Sequence, residues 1–215
     1  MIPESVTLAE LERDALTEIV NIGVSRAASN LRKMIDDHVL LSVPSIEVVS
    51  QRRAARLISE REASELVAVR QDFNGAFEGR ALLIFPEANS LELVRAVTGD
   101  ELSVQEVLDI EIEALAETGN VILNSCLASM ANMLKSSLEM AIPEVVRGTG
   151  ASLFQIDEDG AEGLVLFLYI DFAVRSRDIR GYIAMIMDLP SLSTLKELLE
   201  EFIIRVVGND ARGEP

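Results

Sequence analysis

Asp14-Ala-Leu-Thr-Glu18-Ile-Val-Asn21 and Glu113-Ala-Leu-Ala-Glu117-Thr-Gly-Asn120 decide how this chain is read. In each stretch an acid, a glutamate and an asparagine stand at i, i+4 and i+7, the spacing that stacks three side chains on one face of a helix. At about 100° per residue, Asp14, Glu18, Asn21, Ser25 and Arg32 fall within an arc of roughly 60°. Leu16, Val20, Gly23, Ala27 and Met34 lie on the opposite side. The polar triads are therefore expected to face solvent while the other side of each helix is buried.

Working outward, Leu8 to Ile35 reads as one long helix ending near Asp36-Asp37. Two short β-branched stretches follow around Pro44, then a short basic helix from Gln51 to Arg61. Glu65–Phe73 and Phe77–Phe85 read as strands joined through the turn signal Asn74-Gly75, and Pro86 opens a helix from Glu87 to Val97. After Gly99 the programme restarts. Val104 to Glu139 reads as a second long helix, and a short strand lies near Val145-Val146. Gly163–Val174 and Gly181–Met187 are strands, and Ser191–Val207 is a closing amphipathic helix. Proline recurs at a matched distance: Asn21 is followed by 22 residues and Pro44, Asn120 by 22 residues and Pro143. A second Glu-x-x-Asn with proline at that distance arises by chance in about one chain in fifty of this composition. The pattern predicts an α+β protein with a pseudo-two-fold internal repeat, approximately 8–99 and 104–207. An antiparallel-rich sheet would be covered by the two long helices, with 208–215 as a flexible tail.

With 215 residues, 49% of them apolar, the chain can bury a core without disulfide or metal staples. A formal charge of -17 opposes nucleic acid and anionic membranes. One cysteine excludes an internal disulfide, and one histidine argues against Ser-His-Asp or Cys-His catalysis and excludes the usual multi-histidine metal sites. No signal peptide or bilayer-length apolar run is present, so a reduced, cytoplasmic protein is expected. Cys126 aligns with Ala27 as a small core residue, and Pro44 and Pro143 are expected to shape strand ends. The cluster Arg52, Arg53, Arg56 and Arg61 reads as a docking patch or, more simply, a solvated helix face.

The pattern Asp/Ser-x3-Glu-x2-Asn-x22-Pro resembles the signature of the CheC/CheX/FliY family of chemotaxis response-regulator phosphatases. The resemblance runs to about Val207, and two copies in one chain are most like the CheC type, although Glu113 stands where the family has Asp or Ser. It implies a phospho-aspartyl CheY-type receiver as substrate, with Asn21 and Asn120 orienting the attacking water and Glu18 and Glu117 engaging the receiver's active-site lysine. Asp14 and Glu113 would be docking contacts or local helix support. No cofactor or metal is expected on this chain, the Mg2+ belonging to the receiver's acidic pocket. The resemblance also implies a CheD-like deamidase as a further partner, and the middle domain of FliM as a non-catalytic relative of the same fold. Internal symmetry already provides two sites, so a monomer or weak homodimer is expected.

Overall fold

In the computed structural model, which describes residues 6–35, 38–62, 65–98, 102–156, 163–174 and 177–210, one order of elements occurs twice. The first repeat is α1 (Glu10–Ile35), β1 (Val39–Ser42), β2 (Ile46–Ser50), α2 (Gln51–Ser59), β3 (Leu66–Gly75), β4 (Gly79–Pro86) and α3 (Glu87–Thr98). The second is α4 (Val104–Met133), β5 (Leu138–Met140), β6 (Glu144–Gly148), α5 (Gly150–Leu153), β7 (Leu164–Val174), β8 (Arg177–Met187) and α6 (Leu189–Asp210).

Among the described residues, eight strands form one antiparallel sheet in the order β1-β7-β8-β4-β3-β5, with β2 also on β7 and β6 also on β3. The centre is the β4–β8 pair, where Leu82 faces Ala184 and the register runs symmetrically to either side, Ile84 facing Tyr182 and Arg80 facing Ile186. The short strands are exchanged: β1 and β2 pair with the hairpin of the second repeat, β5 and β6 with that of the first. Each repeat thus completes the other's sheet.

Alternation along the strands sends Val67, Val69, Phe73, Leu83, Phe85, Leu166, Leu168, Ile183 and Met185 into the larger core beneath α1 and α4. Leu66, Ala68, Leu82, Ile84, Val165, Phe167 and Ala184 point the other way, against Ala54, Ala55, Leu57 and Ile58 of α2 and Leu153 and Phe154 at α5. The sheet is therefore covered on both faces, which is why its central strands are nearly continuous in apolar residues. The four-residue α5 is set by Thr149, whose hydroxyl accepts from Ser152 N.

Several boundaries differ from the sequence reading. The second long helix stops at Met133 and not Glu139: Lys135 takes a left-handed φ of 54°, Ser136 N donates to Ala131 O, and Arg205 of α6 donates to the Met133 carbonyl. No Gly or Pro marks this stop, so propensity alone runs on through it. Gly75 is the last residue of β3 rather than part of the turn. Its φ of +146° and the Ser137 carbonyl, 2.2 Å from where a Cβ would sit, leave room only for glycine. The closing helix continues to Asp210, while 211–215 of the expected tail lie outside the described residues.

Helices α1 and α4 touch at Gly23, where a Cβ would lie 2.8 Å from Cys126 Cα and 3.1 Å from the Ser125 carbonyl oxygen. Cys126 is wholly buried there, and burial pushes its thiol up to about 12. Replacing an ordinary helical glycine with alanine stabilises by about 0.5–1 kcal/mol. Here Gly23→Ala should instead destabilise, and Gly23→Leu should cost about 1–3 kcal/mol through overpacking, read as lowered thermal midpoints for both.

Candidate functional site

The first Glu-x-x-Asn lies along α1. Near its start the Glu12 carboxylate accepts from Ala9 N at 2.7 Å and faces Lys196 Nζ of α6 at 3.7 Å. Leu16, Ile19, Val20, Val24 and Ala27 are buried, leaving Asp14 and Glu18 exposed, as the helical arc requires. Neither acid forms a hydrogen bond or ion pair with any described residue. Asn21 is half-buried and its amide is engaged at both ends: Nδ2 donates to Val43 O at 3.1 Å, and Val43 N donates to Oδ1 at 2.9 Å.

This two-point tie supplies a physical reason for the asparagine–proline spacing. A residue before proline is biased to extended backbone, and an extended residue presents its N–H and C=O on the same side, the pair a primary amide matches. Val43 stands immediately before Pro44, so the chain length between Asn21 and Pro44 is what carries β1 back to the helix. One lone pair and one N–H of Asn21 remain unused among the described residues. They adjoin a shallow groove lined by Glu18, Ile22, Ser25, Arg26 and Ser29.

The second Glu-x-x-Asn lies along α4, which begins with a capping box: Ser103 Oγ accepts from Glu106 N while the Glu106 carboxylate accepts from Ser103 N. Glu111 is buried and pairs with Arg147 of β6, with Ser90 of α3 also donating to it at 3.4 Å. Glu113 and Glu117 are exposed and Asn120 is half-buried. Gly119 brings the helix onto β3, since a Cβ there would lie 2.6 Å from the Val69 side chain.

Beyond this point the two sites diverge. Ile142, the counterpart of Val43 before Pro143, is 87% exposed and is not bound by Asn120. Asn120 Oδ1 instead accepts from Asn124 Nδ2 at 2.7 Å and lies 3.4 Å from Gln71 Nε2. Gln71 Nε2 also donates to Asn124 Oδ1 at 3.0 Å and to the Ala141 carbonyl at 2.8 Å. Gln71 is 2% exposed, and its Oε1 has no donor among the described residues. Leaving such an acceptor unpaired costs about 1–3 kcal/mol.

The sequence reading placed the Glu and Asn residues on outward helix faces but missed Val43, Gln71, Asn124 and the buried acids Glu12 and Glu111. Glu12 and Glu111 are separated by the same number of residues as Glu18 and Glu117, so extending the repeat four residues toward the N-terminus from Leu16 and Leu115 would have exposed them. Gln71 carried a signal too, a polar residue in the inward row Val67, Val69, Phe73. Arg52, Arg53 and Arg56 are exposed on α2, on the other face of the sheet from the Glu-x-x-Asn helices, and the Arg61 guanidinium lies 4.3 Å over the Tyr169 ring. Among the described residues no group of three or more His, Cys, Asp or Glu could hold a metal ion, and no helix is long and apolar enough to cross a membrane.

The twofold-repeated αβ fold is that of solved FliY and FliM middle-domain structures. The comparisons support the CheC/CheX/FliY family for this chain. The family model for chemotaxis phosphatase CheX matches residues 67–166, which include the second site, and that for the CheC-like family matches residues 11–48, which include the first. The flagellar motor switch phosphatase FliY of Bacillus subtilis is 27% identical over 67% of this chain, which spans only 38% of that protein's length. The CheY-P phosphatase CheC of the same organism is 21% identical over 87% of this chain and 93% of its own. Among solved structures, Thermotoga maritima FliY superposes with a TM-score of 0.69 at 19% identity, over 91% of this chain and 98% of that one. The FliM middle domain of Vibrio alginolyticus gives 0.59 at 12% identity, over 85% and 99%.

The tie at Asn21 and the looser setting of Asn120 predict unequal structural costs. Asn21→Ala should lose about 1–2 kcal/mol in urea unfolding and speed exchange of the Val43 amide hydrogen. Asn120→Ala should cost less and leave Val43 protected.

Proposed function

We propose that this chain is a phosphatase for the phospho-aspartyl form of a CheY-type response regulator in chemotaxis signalling. The observation that carries this reading is the presence of two Glu-x-x-Asn sites with exposed glutamates, one on each long helix, within the segments that match the CheC-like and CheX family models. An acyl phosphate is already reactive, so no covalent nucleophile is required of the enzyme, only a water placed in line with the phosphorus. The water oxygen forms its bond to phosphorus as the acyl P–O bond breaks. The receiver's aspartate leaves as a carboxylate, and the water's protons pass to phosphate and solvent. An asparagine amide suits the orienting role because it accepts from water and donates elsewhere.

In this account Asn21 and Asn120 reach into the receiver's active site. Glu18 and Glu117, exposed and without a partner among the described residues, engage its lysine, with Asp14 and Glu113 as outer docking contacts. This chain carries a formal charge of -17, so attraction is local, between these carboxylates and basic groups of the receiver. The Mg2+ belongs to the receiver. The likeness to FliM middle domains supports a second reading, a receiver-binding module that leaves the phosphoryl group in place.

Phosphate release from a phosphorylated CheY-type receiver with Mg2+ separates the two. Wild-type protein should accelerate release, and the Asn21→Ala/Asn120→Ala double variant, with its circular dichroism and melting cooperativity retained, should lose at least about ten-fold of that acceleration. Binding without acceleration by wild type would establish the module instead.

A further inference from the structure

Hydrogen-bond polarity distinguishes the two asparagines. The Ala141 carbonyl can only accept, so the end of the Gln71 amide lying 2.8 Å from it is the nitrogen. The other Gln71 hydrogen is directed at Asn124 Oδ1, 3.0 Å away, which turns Asn124 Nδ2 toward Asn120 Oδ1 at 2.7 Å. The Asn120 oxygen thus faces two NH2 groups, while its own Nδ2 has no partner among the described residues. At the first site the Val43 backbone takes one lone pair and one hydrogen of Asn21 and leaves one of each. Gln71 is also a polar insertion at a place where packing asks for none. Its neighbours in the inward row, Val67, Val69 and Phe73, are apolar, as is the whole corresponding row of β7, Leu164, Leu166, Leu168 and Ile170.

We infer that Gln71 and Asn124 are positioning residues that hold the Asn120 amide with its oxygen inward, so that in the resting protein Asn21, and not Asn120, can orient the attacking water. The inference rests on the phosphatase reading above. A group that presents only donors holds the water through one of its two lone pairs and draws electron density from the nucleophilic oxygen. A group with a free acceptor takes a hydrogen of the water, which leaves both lone pairs available and aims one at phosphorus. The second site is therefore locked, and docking must break the 2.7 Å Asn124–Asn120 bond before Asn120 can serve.

Two measurements test this. In phosphate release, Asn21→Ala should cost at least about five-fold more of the acceleration than Asn120→Ala. Adding Gln71→Leu or Asn124→Ala to the Asn21→Ala variant should raise its rate about three-fold by freeing the Asn120 oxygen, with no such gain when Asn120→Ala is also present. A further loss on adding either variant, or equal costs for the two asparagines, would overturn the lock. Side-chain amide exchange by NMR on the free wild-type protein needs no receiver. The Gln71 NH2 should exchange slowly and the Asn120 NH2 fast, and a protected Asn120 NH2 would contradict the inference. Absence of acceleration by wild type would refute the phosphatase reading alone, since amide exchange still decides the orientation of Asn120.

Discussion

Antiparallel pairing of β4 with β8 about the Leu82–Ala184 contact is the interaction on which the molecule is organised. It joins the two hairpins into one sheet and sets the pseudo-two-fold relation. That relation in turn carries β1 and β2 onto β7, and β5 and β6 onto β3. Because each repeat lends its short strands to the other, neither hairpin has a complete sheet without its counterpart, and an open edge on β7 or β3 would expose unpaired backbone. Above the sheet the long helices meet closely at Gly23 and Cys126, so both outward faces are fixed relative to one scaffold.

The two sites show how one motif can be held by different means. At Asn21 the amide closes onto the backbone of Val43, with Pro44 biasing that residue to the extended form. At Asn120 the corresponding turn carries the exposed Ile142, and an amide chain through Asn124 and Gln71 replaces the backbone tie. In both, a buried acid upstream of the Glu-x-x-Asn ties the helix to a neighbouring element: Glu12 toward Lys196 and Glu111 toward Arg147. The exposed acids Glu18 and Glu117 are left uncommitted among the described residues, available to a partner.

Much of the architecture was legible because it rests on periodicity. The 3.6-residue pattern located both long helices and their buried faces from Leu16 to Ala27, and the repeated Glu-x-x-Asn with proline spacing revealed the internal symmetry. What the sequence concealed depends on tertiary partners. Lys135 and Ser136 end α4 without a breaker residue, helped by Arg205 from the far end of the chain. The four-residue α5 is too short for a period. The strand exchange between repeats leaves no local signature, and the contact of Gln71 with Asn120 joins residues 49 apart in the chain. The reading therefore placed Glu18, Asn21, Glu117 and Asn120 on the two helix faces and missed what holds the asparagines.

The central claim is that the outward faces of α1 and α4 are the surface that meets the receiver. Its most direct test is NMR shift mapping of this protein against a CheY-type receiver activated by beryllofluoride and Mg2+, a stable mimic of the phosphorylated state. The account predicts perturbations centred on Glu18, Asn21, Glu117 and Asn120, absent with unactivated receiver or when Glu18 and Glu117 are changed to lysine. Perturbations confined to the opposite layer, around Arg52, Arg56 and α5, would contradict it.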